Sequence, residues 1–127
     1  MDEFLVDTDV LIDISKGNVN AADFLANIIG TTFISIISPM ELVIGARDKR
    51  DQVAIEKFIA NYTIKELSVN IGMRAYTLLT QYAKSHGLTI MDALIAATAI
   101  EHNLTLISKN EKHFQPIQTL QFLKATY

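Results

Sequence analysis

Three carboxylates occupy positions where chemistry could use them. Asp7 follows the apolar run Phe4-Leu5-Val6, Glu41 lies just past Ser38-Pro39, and Asp92 leads into the apolar stretch Ala93 to His102. One acid at a strand end and two at helix starts converge if the strand and helices share an edge. Converging carboxylates repel and raise one another's pKa unless a cation joins them. Hard oxygen ligands without a thiolate suit Mg²⁺ or Mn²⁺ rather than Zn²⁺. Such an ion lowers the pKa of bound water and polarises a phosphoryl oxygen, so phosphodiester hydrolysis is the matching reaction class. The competing reading of Glu41 and Asp92 is local, because the partial positive charge of a helix N-terminus favours an acid with no further role.

The elements that must position these acids follow from the hydrophobic pattern. Phe4-Leu5-Val6 reads as a buried strand, and Val10 to Ile14 as a helix running toward Gly17. A second helix is expected from Asn20, its cap, to Ile29, with Gly30 ending it. Thr32 to Ile37 is β-branched and reads as the second strand. Ser38, Pro39 and Glu41 match an N-cap, a first helical residue and a capping box, which predicts a helix from Met40 to Arg47. Gln52 to Tyr62 reads as a helix, Thr63 to Leu67 as a strand, and Ser68 to Ser85 as a long amphipathic helix stopped by Gly87. Ala93 to His102 is a further helix, and Leu104–Ile107 and Leu120–Leu123 are the last strands. Strands alternating with helices predict a three-layer α/β/α sandwich with a mostly parallel sheet of four to five strands, formed by residues 1–127 as one domain. In such sheets the site lies beyond the carboxyl ends of the strands.

Composition sets the outer limits. The chain has 127 residues, half of them apolar, which excludes a disordered or fibrous protein. It has no cysteine, so a disulfide framework and a thiolate metal site are excluded. No apolar run has the length of a membrane span, and the opening Met-Asp-Glu-Phe lacks the basic stretch of a signal peptide. A soluble cytoplasmic protein without a membrane partner is the expectation. The net charge of −3 is not that of a protein binding nucleic acid by phosphate neutralisation alone. Acids gathered at a metal centre reconcile that charge with a polyanionic substrate.

Four ordered segments carry a family resemblance. Phe4-Leu5-Val6-Asp7-Thr8-Asp9-Val10-Leu11-Ile12-Asp13 resembles the opening motif of PIN domains, and Ser35-Ile36-Ile37-Ser38-Pro39-Met40-Glu41-Leu42 the second. Met91-Asp92-Ala93-Leu94-Ile95-Ala96-Ala97-Thr98-Ala99 is similar to the third, and Leu104 through Phe114 to the fourth. The length and compact ending resemble the VapC-type toxin branch. The resemblance implies a Mg²⁺- or Mn²⁺-dependent endoribonuclease with Asp7, Glu41 and Asp92 as its shared acids, acting as the toxin of a type II toxin–antitoxin system. It also implies an RNA substrate, an antitoxin partner and a homodimer, for which Asn20–Ile29 and Met40–Arg47 are candidate surfaces. Many members carry a fourth acid where this chain has Asn110. Asn110 offers a dipole instead of a charge, which weakens a second metal site, and Glu111 replaces that acid only if the turn aims it inward.

Neighbouring residues have smaller expected roles. Asp9 reads as a helix cap that also supports the acids from behind, Thr8 as a donor near the site, and Ser108 as a hydroxyl that can hold a metal-bound water. Asp13 reads as solvated or capping, and His113, beside Phe114, as packing or surface. The three histidines do not form a metal-ligand spacing. The run Arg47 to Asp51 mixes signs and reads as a solvated face. Two other functions compete. Asp7-Thr8-Asp9-Val10 also matches the start of haloacid-dehalogenase-like phosphatases, with Asp7 as nucleophile, although the later acid pair of that fold is missing. A non-catalytic PIN-like module binding RNA or protein is the other.

Overall fold

The structure is a computed structural model that describes residues 2–127. Met1, first residue of the acidic opening, lies outside the described residues. Five strands form one parallel sheet: β1 (Glu3–Val6), β2 (Thr31–Ser35), β3 (Thr63–Lys65), β4 (Thr105–Ser108) and β5 (Gln121–Lys124), in the order β3-β2-β1-β4-β5. Among the described residues seven helices accompany them. They are α1 (Thr8–Ser15), α2 (Val19–Ala26), α3 (Ile37–Ile44), α4 (Lys49–Ile59), α5 (Val69–His86), α6 (Ile90–Glu101) and α7 (Glu111–Phe114).

The pleat explains the three layers. Leu5 lies between Phe33 and Leu106, and all three face the cluster made with Ile71, Ala75 and Leu78 of α5, Ile95 and Ala96 of α6, and Phe114. Phe4, Val6, Ile34 and Ile107 point the other way, onto Val10 and Leu11 of α1, Leu42 of α3 and Ile59 of α4. Burial on both faces is why the central strands β1 and β4 carry short apolar runs, whereas the edge strands β3 and β5 are more exposed and more polar. The chain leaves β1 toward β2 on one side, and returns to β4 on the other by way of α5 and α6. β1 and β4 are therefore neighbours at a topological switch point, where the crevice beyond the strand ends is open to a ligand.

Several boundaries differ from the sequence expectations, each for a physical reason. α2 is capped by Asn18, whose side chain accepts from the Ala21 N–H, so Asn20 falls inside the first turn. The Ser38-Pro39 pattern does not start α3: the helix begins at Ile37 after Ile36, which makes no side-chain cap bond. Ser38 is fully buried and its hydroxyl is taken up by a residue of α1. α6 starts three residues earlier than expected, because Thr89 caps it through the Asp92 N–H. Asp7, not Asp9, is the N-cap of α1. The four-residue α7 is too short to leave a hydrophobic period in the sequence.

Candidate active site

Asp7 emerges at the end of β1, the central strand, with its own N–H still bonded to the Ile107 carbonyl of β4. The ladder thus fixes its backbone, and its side chain is almost wholly buried. One carboxylate oxygen accepts the Thr8 N–H at 2.8 Å, and the other accepts the Ser108 hydroxyl at 2.7 Å. Asp9 lies alongside: it accepts the Val10 N–H at 2.7 Å and the Lys109 N–H at 3.0 Å, and its Oδ2 is 3.2 Å from the same Ser108 hydroxyl. Ser108 ends β4, so the two central strands deliver both carboxylates and the hydroxyl between them.

Glu41 approaches from α3. Its Oε1 accepts the Thr8 hydroxyl at 2.6 Å, and Ser38 Oγ is 2.8 Å from that hydroxyl. A hydroxyl has one proton, and the carboxylate takes it because charge-assisted bonds are the stronger. Ser38 therefore donates to Thr8, and Thr8 to Glu41. Asp92 approaches from the first turn of α6, its Oδ2 2.8 Å from His113 Nδ1. The expected acids thus collect around one strand end, Asp7 and Asp9 in the middle, Glu41 and Asp92 on separate flanks. Among the described residues they do not close into a ready-made metal cage of three acidic or histidine side chains.

The charge balance explains what such a site needs. Burial first, then the Asp9 carboxylate, and more weakly Asp92, push Asp7 up to about 7, although the Ser108 hydroxyl and Thr8 N–H pull it down. Asp9 is raised as well, mainly by burial, against the bonds from Lys109 and Val10. Two adjacent carboxyls held out of water at the N-terminus of α1 can both ionise readily only if positive charge arrives. The oxygen-only donors fit a hard divalent cation, and Asp7 is the most buried of these acids.

Asn110 and His113 have clear positions. Asn110 caps α7 by accepting the His113 N–H, and its own N–H donates to Ser108 Oγ at 2.9 Å. It is thus one bond from the Asp7 shell and committed to α7. Glu111 is paired at 4.0 Å with Lys124 on β5, away from the acids. Asp13 is partly exposed, as a solvated residue would be, but it is not idle: its Oδ2 binds Lys109 Nζ and the Tyr127 hydroxyl, both at 2.6 Å. His113 is half-buried and does more than pack, since it is bonded to Asp92. Their partners lie far off in the chain, so no local spacing could have disclosed either pairing.

The PIN domain family matches residues 4–118, which takes in all four segments that build this site. The chain belongs to the PIN-domain family. Relatives of this PIN domain include Ribonuclease VapC10 of Mycobacterium tuberculosis, 34% identical over 120 residues and covering 92% of this chain and 90% of the relative. Ribonuclease VapC1 of Methanocaldococcus jannaschii is 30% identical over 118 residues, covering 91% and 82%. Among solved structures, a toxin–antitoxin complex from Klebsiella pneumoniae superposes with a TM-score of 0.82 at 29% identity, over 97% of this chain and 98% of that one. DNA-bound VapBC from Salmonella typhimurium has the same fold, with a TM-score of 0.84 at 20% identity over 99% and 100%. Membership in this family displaces the dehalogenase-like alternative.

The orientation of Glu41 in this PIN domain gives a first prediction. Thr8→Val keeps the shape but removes the hydroxyl, so Glu41 loses its donor and buried Ser38 its acceptor. The expected cost is about 1–3 kcal/mol, read as a lower midpoint in urea. A change below about 0.5 kcal/mol would show that the Ser38–Thr8–Glu41 chain holds nothing in place.

Proposed function

We propose that this protein is a ribonuclease that hydrolyses RNA phosphodiester bonds with Mg²⁺ or Mn²⁺ and serves as the toxin of a toxin–antitoxin pair. The observation that carries the reading is Asp7, a buried carboxyl pushed up to about 7 by burial and its acidic neighbours at the switch point of the sheet. The ribonuclease names of the VapC relatives, which align over nine-tenths of this chain, support the choice of RNA. Asp7 and Asp92 would hold the ion, with Glu41 joining directly or through water. When bound, the ion supplies charge that lowers the pKa of water and offsets negative charge on the phosphoryl oxygens.

The protein's own residues do the remaining work. Ser108 fixes the outer oxygen of Asp7 and separates it from Asp9. Thr8 aims Glu41 across the mouth of the site. Asn110 and Ser108 keep the end of β4 against α7. Asp9, bonded to two backbone N–H groups, supports the ligands from behind.

The partner reading rests on a groove of about 390 Å³ between α1, α3 and α4, lined by Ile12, Leu42, Ile55 and Phe58 and by Glu41 itself. An apolar antitoxin segment laid there would reach the acids and block them, in keeping with the toxin–antitoxin assembly named for the Klebsiella pneumoniae structure. A homodimer would cover the exposed Ile29 after α2 and Met40 and Ile44 of α3, within the two segments the sequence offers as contact surfaces. We place the protein in the cytoplasm with its RNA substrate; among the described residues no helix is long and apolar enough to cross a membrane.

The test is cleavage of RNA by purified protein in Mn²⁺ or Mg²⁺, beside an EDTA control and Asp92→Asn. Cleavage should require the ion and fall by about 100-fold or more in the variant. Undiminished cleavage in EDTA would remove metal from the mechanism, and full activity in Asp92→Asn would remove Asp92 from it.

A further inference from the structure

Asp92 is held by a device outside the acid set. His113 Nδ1 lies 2.8 Å from Asp92 Oδ2. The same nitrogen lies 2.9 Å from Asn110 Nδ2, but one ring nitrogen cannot both donate to an oxygen and accept from an amide. The carboxylate oxygen only accepts, and its charge-assisted bond is the stronger. The proton therefore sits on Nδ1 and goes to Asp92, while the Asn110 amide lies against the ring edge. His113 is itself fixed at several points. Its N–H is bonded to Asn110 Oδ1, its neighbour Phe114 is wholly buried, and its Nε2 side faces Gly87. A side chain on Gly87 would place Cβ 3.7 Å from that nitrogen, and with a φ of +70° the position favours glycine in any case.

These bonds form one path. Asp7 accepts from Ser108, Ser108 accepts from the Asn110 N–H, Asn110 accepts from the His113 N–H, and His113 donates to Asp92. We propose that His113 is a positioning residue that locks the Asp92 carboxylate by its Oδ2, so that the carboxylate that would hold the divalent ion is fixed, and that Asn110 is the bracket setting His113 relative to Asp7. Ligands oriented by a fixed outer partner bind more tightly than free ones, and losing that partner commonly costs 10–100-fold in affinity. The inference rests on the reading of Asp92 as a metal ligand given above.

The experiment is calorimetric titration with Mn²⁺ at pH 8 of wild type, His113→Asn, His113→Gln and Asp92→Asn, with thermal melts in EDTA to establish that each is folded. His113→Asn places an amide donor where Nδ1 stood, whereas His113→Gln carries its donor one atom too far to make the same bond. The expected result is Mn²⁺ affinity about tenfold weaker or worse in His113→Gln, and within about threefold of wild type in His113→Asn. Equal loss in both variants would reduce His113 to a packing role and overturn the inference. So would wild-type affinity in His113→Gln. If His113→Gln matches wild type while Asp92→Asn loses Mn²⁺, the positioning fails and the ligand assignment stands. Wild-type affinity in Asp92→Asn overturns the ligand assignment itself, and the inference with it.

Discussion

Asp7→Asn is expected to abolish RNA cleavage and at the same time raise the melting temperature of the metal-free protein. Asn keeps the shape and an acceptor for the Thr8 N–H, but it removes the charge that would hold the ion. The cleavage rate should fall by about 10⁴-fold, as for loss of a central catalytic group. The stability change has the opposite sign. The unfolded Asp7 carboxyl titrates near 3.8 and the folded one near 7. Between those values the folded protein keeps a proton that the unfolded chain has released, so stability falls as pH rises through that window and levels off above it. At pH 8 the burden is at most about 4 kcal/mol, and Asn does not carry it. In EDTA the variant should melt several degrees above wild type at pH 8, with a much smaller gain at pH 4. Mn²⁺ should reverse the ranking by stabilising wild type and leaving the variant unchanged. No gain at pH 8 would mean that Asp7 is not strained by its neighbours. Surviving cleavage would remove it from the chemistry.

Asp7 and Asp92 were legible as candidates because a local pattern marks each of them. Asp7 ends an unbroken apolar strand, and Asp92 sits three residues after a capping threonine. The strand–helix alternation was legible for the same reason: parallel strands buried on both faces cannot hide their composition. What misled was local pattern overruled by distant contacts. Ser38-Pro39-Met40-Glu41 satisfies the rules for a helix start, yet the Ser38 hydroxyl serves Thr8 and the Glu41 carboxylate receives a proton from Thr8 instead of bonding back to the cap. Asp13 looks idle until Tyr127, 114 positions away, reaches it. His113 and Asp92 are 21 residues apart on different helices, and nothing in either neighbourhood encodes the pairing. Only the fold, by setting α7 at the end of β4 and α6 beside it, brings them into contact.

Phe114→Ala tests that dependence, and it should be the most destabilising change considered. Phe114 is the largest of the fully buried side chains, packed with α5 and α6 and with its ring centroid 6.2 Å from that of Phe122 on β5. Truncating it removes the transfer free energy of the ring and leaves a cavity, together about 3–5 kcal/mol, a large share of the total stability of a domain this size. α7 has four residues, too few to persist without tertiary support. Phe114 is thus the anchor that keeps Asn110 and His113 in place, and its loss should reach Asp92. Guanidinium unfolding should show the stability loss, and Mn²⁺ titration of the still-folded variant should show weakened binding. A second comparison separates cavity from coupling. If Phe114 acts on the ion through His113, Phe114→Ala combined with His113→Gln should bind Mn²⁺ little worse than either single variant, because both remove the same hold on Asp92. Fully additive losses would mean that the core supports the site by another route, and a cost below about 1 kcal/mol would mean that α7 does not depend on Phe114.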